Sequence, residues 1–119
     1  DEPAALGGTD RGASPMELVL AGLMSCVAVS IAYSAAEEGI DLHAIAIDVE
    51  GDIDLRGLFG VADDVRPGFE EIRLIVRVDA DASEETIEDL VHRGYRRSPA
   101  VDSLTGRVPV RVCIGREGV

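Results

Sequence analysis

The chain is 119 residues long and 46% hydrophobic, which is enough for one hydrophobic core and too little for two. Its 23 acidic residues outnumber its 11 basic residues, all of them arginine, and the net charge of −12 repels nucleic acid and anionic lipid. We therefore expect one domain over residues 1–119, with no nucleic-acid partner, no membrane partner, and a role in small-molecule or redox chemistry.

The first predicted element is a long helix that follows a glycine-rich loop. Ser14 can cap it, Pro15 suits the first helical position, and Glu17 completes a capping box three residues after the cap. Gly39 predicts a left-handed stop about six turns later. The nineteen uncharged residues 18–36 are long enough to span a bilayer, but their serines and the lack of basic flanks favour the central helix of a globular fold.

One side of this helix is a ridge of small side chains that recur every fourth position, Gly22, Cys26, Ser30 and Ser34. Another backbone can approach the helix closely along such a ridge. A lone thiol in apolar surroundings is either the nucleophile of a reactive site or an inert buried cysteine. The residues alone leave both interpretations of Cys26 open.

Two segments of alternating polarity predict an antiparallel sheet. Apolar residues of the first strand share one face: Ile45, Ile47, Val49, Ile53 and Leu55. Its other face is acidic: Asp48, Glu50, Asp52 and Asp54. The second strand points Ile72, Leu74, Val76 and Val78 inward and Glu71, Arg73 and Arg77 outward. Arginines across the strands, Arg73, Arg77 or Arg111, are expected to neutralise the acidic face.

The remaining predicted elements are a second helix, from Asp81 or Ser83 to about Tyr95, and a last strand from Arg107 to Ile114. Three strands cannot bury a long helix that is apolar on every side. Either further strands precede Asp1 in the natural protein, or a second copy supplies the missing cover by packing helix against helix. We predict an α+β fold in which the long helix and the second helix pack against an antiparallel sheet, assembled as a homodimer.

The cysteines and histidines further limit the kinds of chemistry that the sequence supports. Cys26 and Cys113 are 87 positions apart and form no disulfide framework, and the acidic opening Asp1-Glu2-Pro3 is unlike a secretory signal, so we expect a cytoplasmic protein. Cys113 would serve as a resolving thiol only if its Cα came within ~7 Å of that of Cys26. His43 and His92 have no second ligand at metal spacing, so we expect no metal and no cofactor.

Several segments of the sequence together resemble a known family. Ser14-Pro15-Met16-Glu17-Leu18 followed by Ser25-Cys26 is similar to the central-helix signature of the OsmC/Ohr proteins, the osmotically inducible and organic-hydroperoxide-resistance proteins. Further segments also resemble the corresponding parts of these proteins. They are residues 50–57, residues 65–69, Ser98-Pro99, and Asp1-Glu2-Pro3 with Gly7-Gly8-Thr9. The resemblance implies an intertwined homodimer in which two long helices are wrapped by β-sheet, with active sites at the subunit interface.

The resemblance also implies roles for single residues. Cys26 matches the thiol that attacks hydroperoxides, and Glu17 and Arg11 are the candidates for the glutamate and arginine that activate it. Glu17 lies one position beyond the family's Pro-Glu pair, which turns its carboxylate about 100° round the helix. The family's Cys-Pro motif, which holds the resolving thiol, reads Ser98-Pro99 here, so a small or protein dithiol would have to reduce Cys26.

Two functions follow as hypotheses. The first is reduction of organic hydroperoxides or related electrophiles through the single cysteine Cys26, which would protect against oxidative stress. The alternative is a catalytically silent protein of the same fold that binds a small apolar ligand at the dimer interface. Met16 and Ser98, which depart from the peroxidase pattern, favour the alternative.

Overall fold

The computed structural model of the protein describes residues 1–115, and they form an α+β fold as the sequence predicts. A short 3₁₀ turn at Ala4–Leu6 precedes the long helix. The elements are α1 (Pro15–Glu38), β1 (Leu42–Ile53), α2 (Leu55–Leu58), β2 (Phe69–Ala80), α3 (Glu84–Arg97) and α4 (Pro99–Thr105).

Both ends of α1 follow from local chemistry. The Glu17 backbone N–H donates to Ser14 Oγ at 3.2 Å, and the Ser14 N–H donates to the Glu17 carboxylate at 2.7 Å. This is the predicted capping box, with Pro15 in the first helical position. Gly39 ends the helix at φ 68°, a left-handed conformation that favours glycine. The predicted bounds of the long helix are confirmed.

The sheet is a two-stranded antiparallel pair, β1 with β2, in which Ile47 lies opposite Val76 and Glu50 opposite Arg73. One expectation was wrong: the first strand ends at Ile53 and does not continue to Leu55. A register shift between Asp52 and Ile53 breaks the pairing there. The Asp54 carboxylate then accepts from the Arg56 N–H at 3.1 Å and caps α2, so Leu55 begins a helix.

Charge pairs cover the outer face of the sheet, as predicted. The Arg73 guanidinium donates to Asp52 at 2.6 Å and to Glu50 at 3.4 Å, and Arg77 donates to Asp48 at 2.8 Å. The hydrogen bond from Arg73 lowers the pKa of Asp52 below its usual value. Arg111 is not part of this face, because it lies in the exposed segment after α4.

The core lies between the inner face of the sheet and one side of α1. Its buried apolar residues are Leu23, Val27, Ile31, Ala35, Leu90 and Val101. Half-buried residues of both strands pack against this group. α1 and α3 approach each other closely at Gly94, where an added Cβ would lie 2.8 Å from the Ile31 backbone. Glycine at position 94 is therefore required for the two helices to meet at this distance.

The end of the chain differs from the prediction. No strand forms at Arg107–Ile114 within the described residues, and Val108, Val110, Val112 and Ile114 are between 54% and 90% exposed. The alternation is present, but a strand also requires a neighbour to receive its backbone hydrogen bonds. The second helix continues to Arg97, two residues beyond the expected end, and the seven-residue helix α4 was not predicted.

The remaining side of α1 faces solvent. Its exposed positions between Leu18 and Ala36, here named the α1 stripe, are Leu18, Gly22, Ser25, Val29, Ala32, Tyr33 and Ala36. Val29 and Tyr33 are 52% and 71% exposed. By length and apolar composition alone α1 could cross a membrane, a property that core helices of globular proteins share. The elements within residues 1–115 thus cover one side of the helix and leave the α1 stripe uncovered.

Candidate functional site

A cavity of about 320 Å³ lies beside the middle of α1, where the small-residue ridge meets the junction of α3 and α4. We name it the Cys26 cavity; it is lined by Cys26, Val29, Ser30, Tyr33, Ser34, Arg97 and Pro99. Cys26 is partly buried and free, so its thiol is not sealed in solid packing. Cys26, Ser30 and Ser34 contribute because they stand one helical turn apart on one side of α1.

The far wall of the cavity is positioned by Ser98. Its N–H donates to the Tyr95 carbonyl at 3.2 Å at the end of α3, and its hydroxyl accepts from the Val101 N–H at 3.4 Å at the start of α4. Ser98 is buried between the two helices. Its neighbours on both sides, Arg97 and Pro99, border the Cys26 cavity. The predicted site residue Ser98 therefore shapes the wall through helix capping, adjacent to the thiol's cavity.

The three serines of α1 have different hydrogen-bonding states. Ser25 donates to the Ala21 carbonyl at 2.7 Å, and Ser30 donates to the Cys26 carbonyl at 2.9 Å. Ser34 is 0% exposed, and its hydroxyl has no hydrogen-bond partner among residues 1–115. An unpaired hydroxyl is costly in a buried position, so Ser34 stands out among the polar groups that border the cavity.

Arg97 is a cationic group in this lining that the sequence analysis missed. It lies in the last turn of α3, with its side chain 56% exposed at the rim, and its guanidinium pairs with the Glu37 carboxylate near the end of α1. Its position directly before Ser98-Pro99 was a usable signal. Its closeness to Cys26 was not visible, because it depends on how α3 packs on α1.

Arg11 and Glu17, the predicted activating pair, do not line the Cys26 cavity. Glu17 occupies the capping box, nine residues and about 13 Å along the helix before Cys26. Arg11 lies in the exposed loop before α1, where its N–H donates to the Asp1 carboxylate at 3.1 Å. Cys113 is free and exposed after α4, also outside the lining. The catalytic roles assigned to these residues remain predictions.

A larger cavity of about 450 Å³ lies elsewhere, between β2, the early part of α1 and α4, with Leu23, Phe69 and Leu104 among its walls. Its lining holds no cysteine and no histidine. Volume alone does not indicate chemistry. We place the candidate site at the smaller cavity because the thiol borders that one.

Strand pairing assembles one cluster that the sequence analysis did not foresee. Asp41, His43 and Asp81 bring their ligand atoms within 4.8 Å of one another at an exposed end of the sheet. His43 Nε2 lies 2.9 Å from the Asp81 carboxylate, and this hydrogen bond with its charge raises the pKa of His43. The ion pair accounts for the arrangement. That no metal binds stays a prediction.

The fold and the site together define an α+β protein with a partly buried thiol at the middle of a long helix, beside a cavity walled by a second helix. Solved structures of this architecture include an OsmC-like protein from Mycoplasma pneumoniae, with a TM-score of 0.74 and 23% identity over 88% of this chain and 69% of that one. The family model described as OsmC-like protein matches residues 8–112. The chain therefore belongs to the OsmC family.

Two further structures are similar at comparable distance. An organic hydroperoxide resistance protein from Elizabethkingia anophelis aligns with a TM-score of 0.71 and 20% identity, over 88% of this chain and 70% of that one. An organic hydroperoxide resistance protein, OsmC, from Legionella pneumophila aligns with a TM-score of 0.69 and 21% identity, over 88% and 71%. No curated protein sequence matches the chain. At these identities the structures establish the fold, and the family membership rests on the family model.

Proposed function

We propose that this protein reduces organic hydroperoxides through Cys26. The observation that supports it is the position of the free thiol, partly buried beside a cavity whose walls are mostly apolar. Such walls suit the organic part of a hydroperoxide, and a hydroperoxide bound there would bring its peroxide oxygen to the thiol of Cys26. Family membership and the hydroperoxide resistance proteins among the similar structures support the same activity.

The proposed cycle needs one cysteine and an external dithiol. The Cys26 thiolate attacks one peroxide oxygen, the O–O bond breaks, and the alcohol leaves with a proton while the sulfur is oxidised to a sulfenic acid. One thiol of the dithiol then attacks that sulfur and releases water, and its second thiol releases the Cys26 thiol as the dithiol becomes a disulfide. Because Ser98 replaces the family's resolving cysteine, the reductant takes over that step.

We also propose that the protein acts in the cytoplasm as a homodimer that completes the site. The α1 stripe is apolar and uncovered by the described residues of the chain. Val29 and Tyr33 belong both to this stripe and to the lining of the Cys26 cavity. A second copy packed on the stripe would therefore close the open side of the cavity and exclude water from the thiol.

The experiment is stopped-flow mixing of the reduced protein with cumene hydroperoxide, followed by titration of the remaining thiol. We expect fast loss of one thiol in the wild type and in Cys113→Ser, and no fast loss in Cys26→Ser. Cys113→Ser is the matched control, because it removes the exposed cysteine outside the cavity. Equal rates in the wild type and Cys26→Ser would disprove the proposed activity.

The second candidate is a binding protein that holds a small apolar ligand in the same cavity. The observation that favours it is that Arg11 and Glu17, the predicted activators of the thiol, lie outside the lining. An unreactive Cys26 together with saturable binding of an apolar probe would favour this function. Turnover of hydroperoxide with a dithiol such as dihydrolipoamide would favour the peroxidase.

A further inference from the structure

Two polar groups of the Cys26 cavity have no part in the proposed peroxide chemistry. Ser34 borders the cavity eight residues beyond Cys26, about 12 Å along α1. Arg97 borders it from α3, and its ion pair with Glu37 places its guanidinium toward the same end of α1. Both groups thus lie away from the reacting sulfur, toward the C-terminal end of α1.

The hydroxyl of Ser34 is the first observation that points to a ligand. It is 0% exposed, and it has no hydrogen-bond partner in the described part of the chain. Ser25 and Ser30 each donate to the carbonyl four residues earlier, which is the ordinary solution for a serine inside a helix. A buried hydroxyl without this bond keeps its donor available, and rotation to another staggered rotamer can turn it toward an occupant of the cavity.

The arginine adds charge to the same end. One Arg97 nitrogen, Nη1, donates to Glu37, while the guanidinium carries five N–H donors in total. Glu37 itself does not line the cavity, so the arginine is the charged group that a ligand would meet. A hydroxyl donor and an arginine that line the same cavity form a combination that recognises carboxylate oxygens.

From these observations we propose that Ser34 and Arg97 bind a carboxylate on the substrate or ligand of the Cys26 cavity. The expected class is an amphiphile with an apolar body, one anionic end, and its reacting or apolar end near the sulfur of Cys26. Because this carboxylate site is part of the Cys26 cavity, it depends on the proposed function of that cavity as a binding site. Ser34 and Arg97 act as specificity-determining residues, and Cys26 alone performs the chemistry.

The Glu37 carboxylate would compete with the carboxylate of a ligand for Arg97. Replacing Arg97 and replacing its partner should have opposite effects on the binding of an anion. Arg97→Gln removes the cation and weakens binding, whereas Glu37→Gln leaves the arginine without its internal anion and strengthens binding. A merely structural role of the ion pair would make both variants bind less well.

The experiment is isothermal titration calorimetry with two unreactive probes, octanoate and 1-octanol, on the reduced protein. We expect Arg97→Gln to lower octanoate affinity about tenfold, the effect of one charge-assisted hydrogen bond near a surface, and Ser34→Ala about fivefold. Glu37→Gln should raise octanoate affinity about threefold, while 1-octanol should change less than twofold with Arg97→Gln and Glu37→Gln. Ser25→Ala, which removes an already bonded hydroxyl outside the cavity, is the matched control and should bind as the wild type.

The readout separates this site from the proposed reaction. Cys26→Ser should lose hydroperoxide reduction and keep its preference for octanoate over 1-octanol. A wild type that reduces cumene hydroperoxide but binds both probes equally would overturn the carboxylate site and leave the peroxidase intact. Unchanged octanoate affinity in Arg97→Gln and Ser34→Ala, or a loss of affinity in Glu37→Gln, would also overturn it.

Discussion

The two sides of α1 have the same kind of sequence and different surroundings. On one side Leu23, Val27 and Ile31 are buried by the sheet and by α3. On the other side Leu18, Val29 and Tyr33 remain exposed. The small-residue ridge lies between them, and its members Cys26, Ser30 and Ser34 border a cavity. An apolar helix is therefore not evidence of a complete core. The described residues bury one side of α1 and leave the other side exposed, with the candidate site at the boundary.

The largest expected effect separates the two sides directly. Ile31→Ala should lower the free energy of unfolding by about 2–5 kcal/mol, because it leaves a cavity in a fully buried contact with α3. Val29→Ala, on the same helix but 52% exposed, should change it by less than about 0.5 kcal/mol in the isolated chain. Urea unfolding at low protein concentration measures both. Equal losses at low concentration would mean that the two sides do not differ in the single chain.

A glycine on the exposed side tests whether a partner covers it. A Cβ on Gly22 would meet no atom of the described residues within 4 Å, so Gly22→Leu should fold as the wild type does. Against a second helix the added side chain would be overpacked, and we expect dimer dissociation to become at least about tenfold easier. Analytical ultracentrifugation over a range of concentrations measures this change.

The matched control is Gly12→Leu, because a Cβ at Gly12 is equally free of neighbours and lies in the loop before α1. It should associate as the wild type does. A wild-type protein that stays monomeric at high micromolar concentration would contradict the homodimer. Dimers that tolerate Gly22→Leu would move the interface away from the α1 stripe.

Ser34 lies at the boundary between the two sides, and removing its hydroxyl tests how that boundary affects stability. Ser34→Ala removes a buried hydroxyl that has no hydrogen-bond partner in the part of the chain that the structure describes, and we expect the free protein to become about 1 kcal/mol more stable. Ser30→Ala removes a bonded hydroxyl and should cost a fraction of a kcal/mol up to about 1 kcal/mol. Thermal and urea unfolding of both variants measure the sign. Destabilisation by Ser34→Ala would show that the hydroxyl is satisfied in solution and that binding need not supply its partner.

Local chemistry explains which parts of this structure could be predicted. The capping box at Ser14 and Glu17 and the stop at Gly39 depend on neighbouring residues only, so the ends of α1 follow from the sequence. The alternation in β1 and β2 depends on one buried face, and it predicted the antiparallel pairing of these two strands. At Arg107–Ile114 the same alternation predicted a strand wrongly, because no neighbouring strand lies beside it in the described fold. Alternating polarity shows only that one face of a segment prefers burial. The segment becomes a strand only where a second strand pairs with it.

The candidate site was only half predictable for the same reason. Cys26 could be identified from its place in an uncharged helix and from the family resemblance. Arg97 reaches the same cavity through the packing of α3 on α1, which depends on Gly94 and Ile31, sixty-three positions apart in the chain. Arg11 and Glu17 were assigned by resemblance, and the structure does not bring them to the cavity. Tertiary contacts decide which charges meet the thiol.

The smallest expected effect lies away from α1, at the exposed ion pair between His43 and Asp81. The hydrogen bond and charge of Asp81 raise the pKa of His43 above 6.5, so its NMR titration midpoint should lie above that value. Asp81→Asn removes the charge and should bring the midpoint back toward 6.5.

The sign of the accompanying stability change follows from linkage. A raised pKa in the folded state means that the folded protein binds the proton more tightly, so the pair stabilises the fold fully below pH 6.5. This stabilisation is lost as the pH rises through the folded-state pKa of His43. The unfolding free energy of the wild type should therefore exceed that of Asp81→Asn at pH 5.5, and the difference should shrink at higher pH. A difference that grows with pH would contradict the ion pair, and it would remove the contrast between an exposed polar contact and the apolar packing of α1.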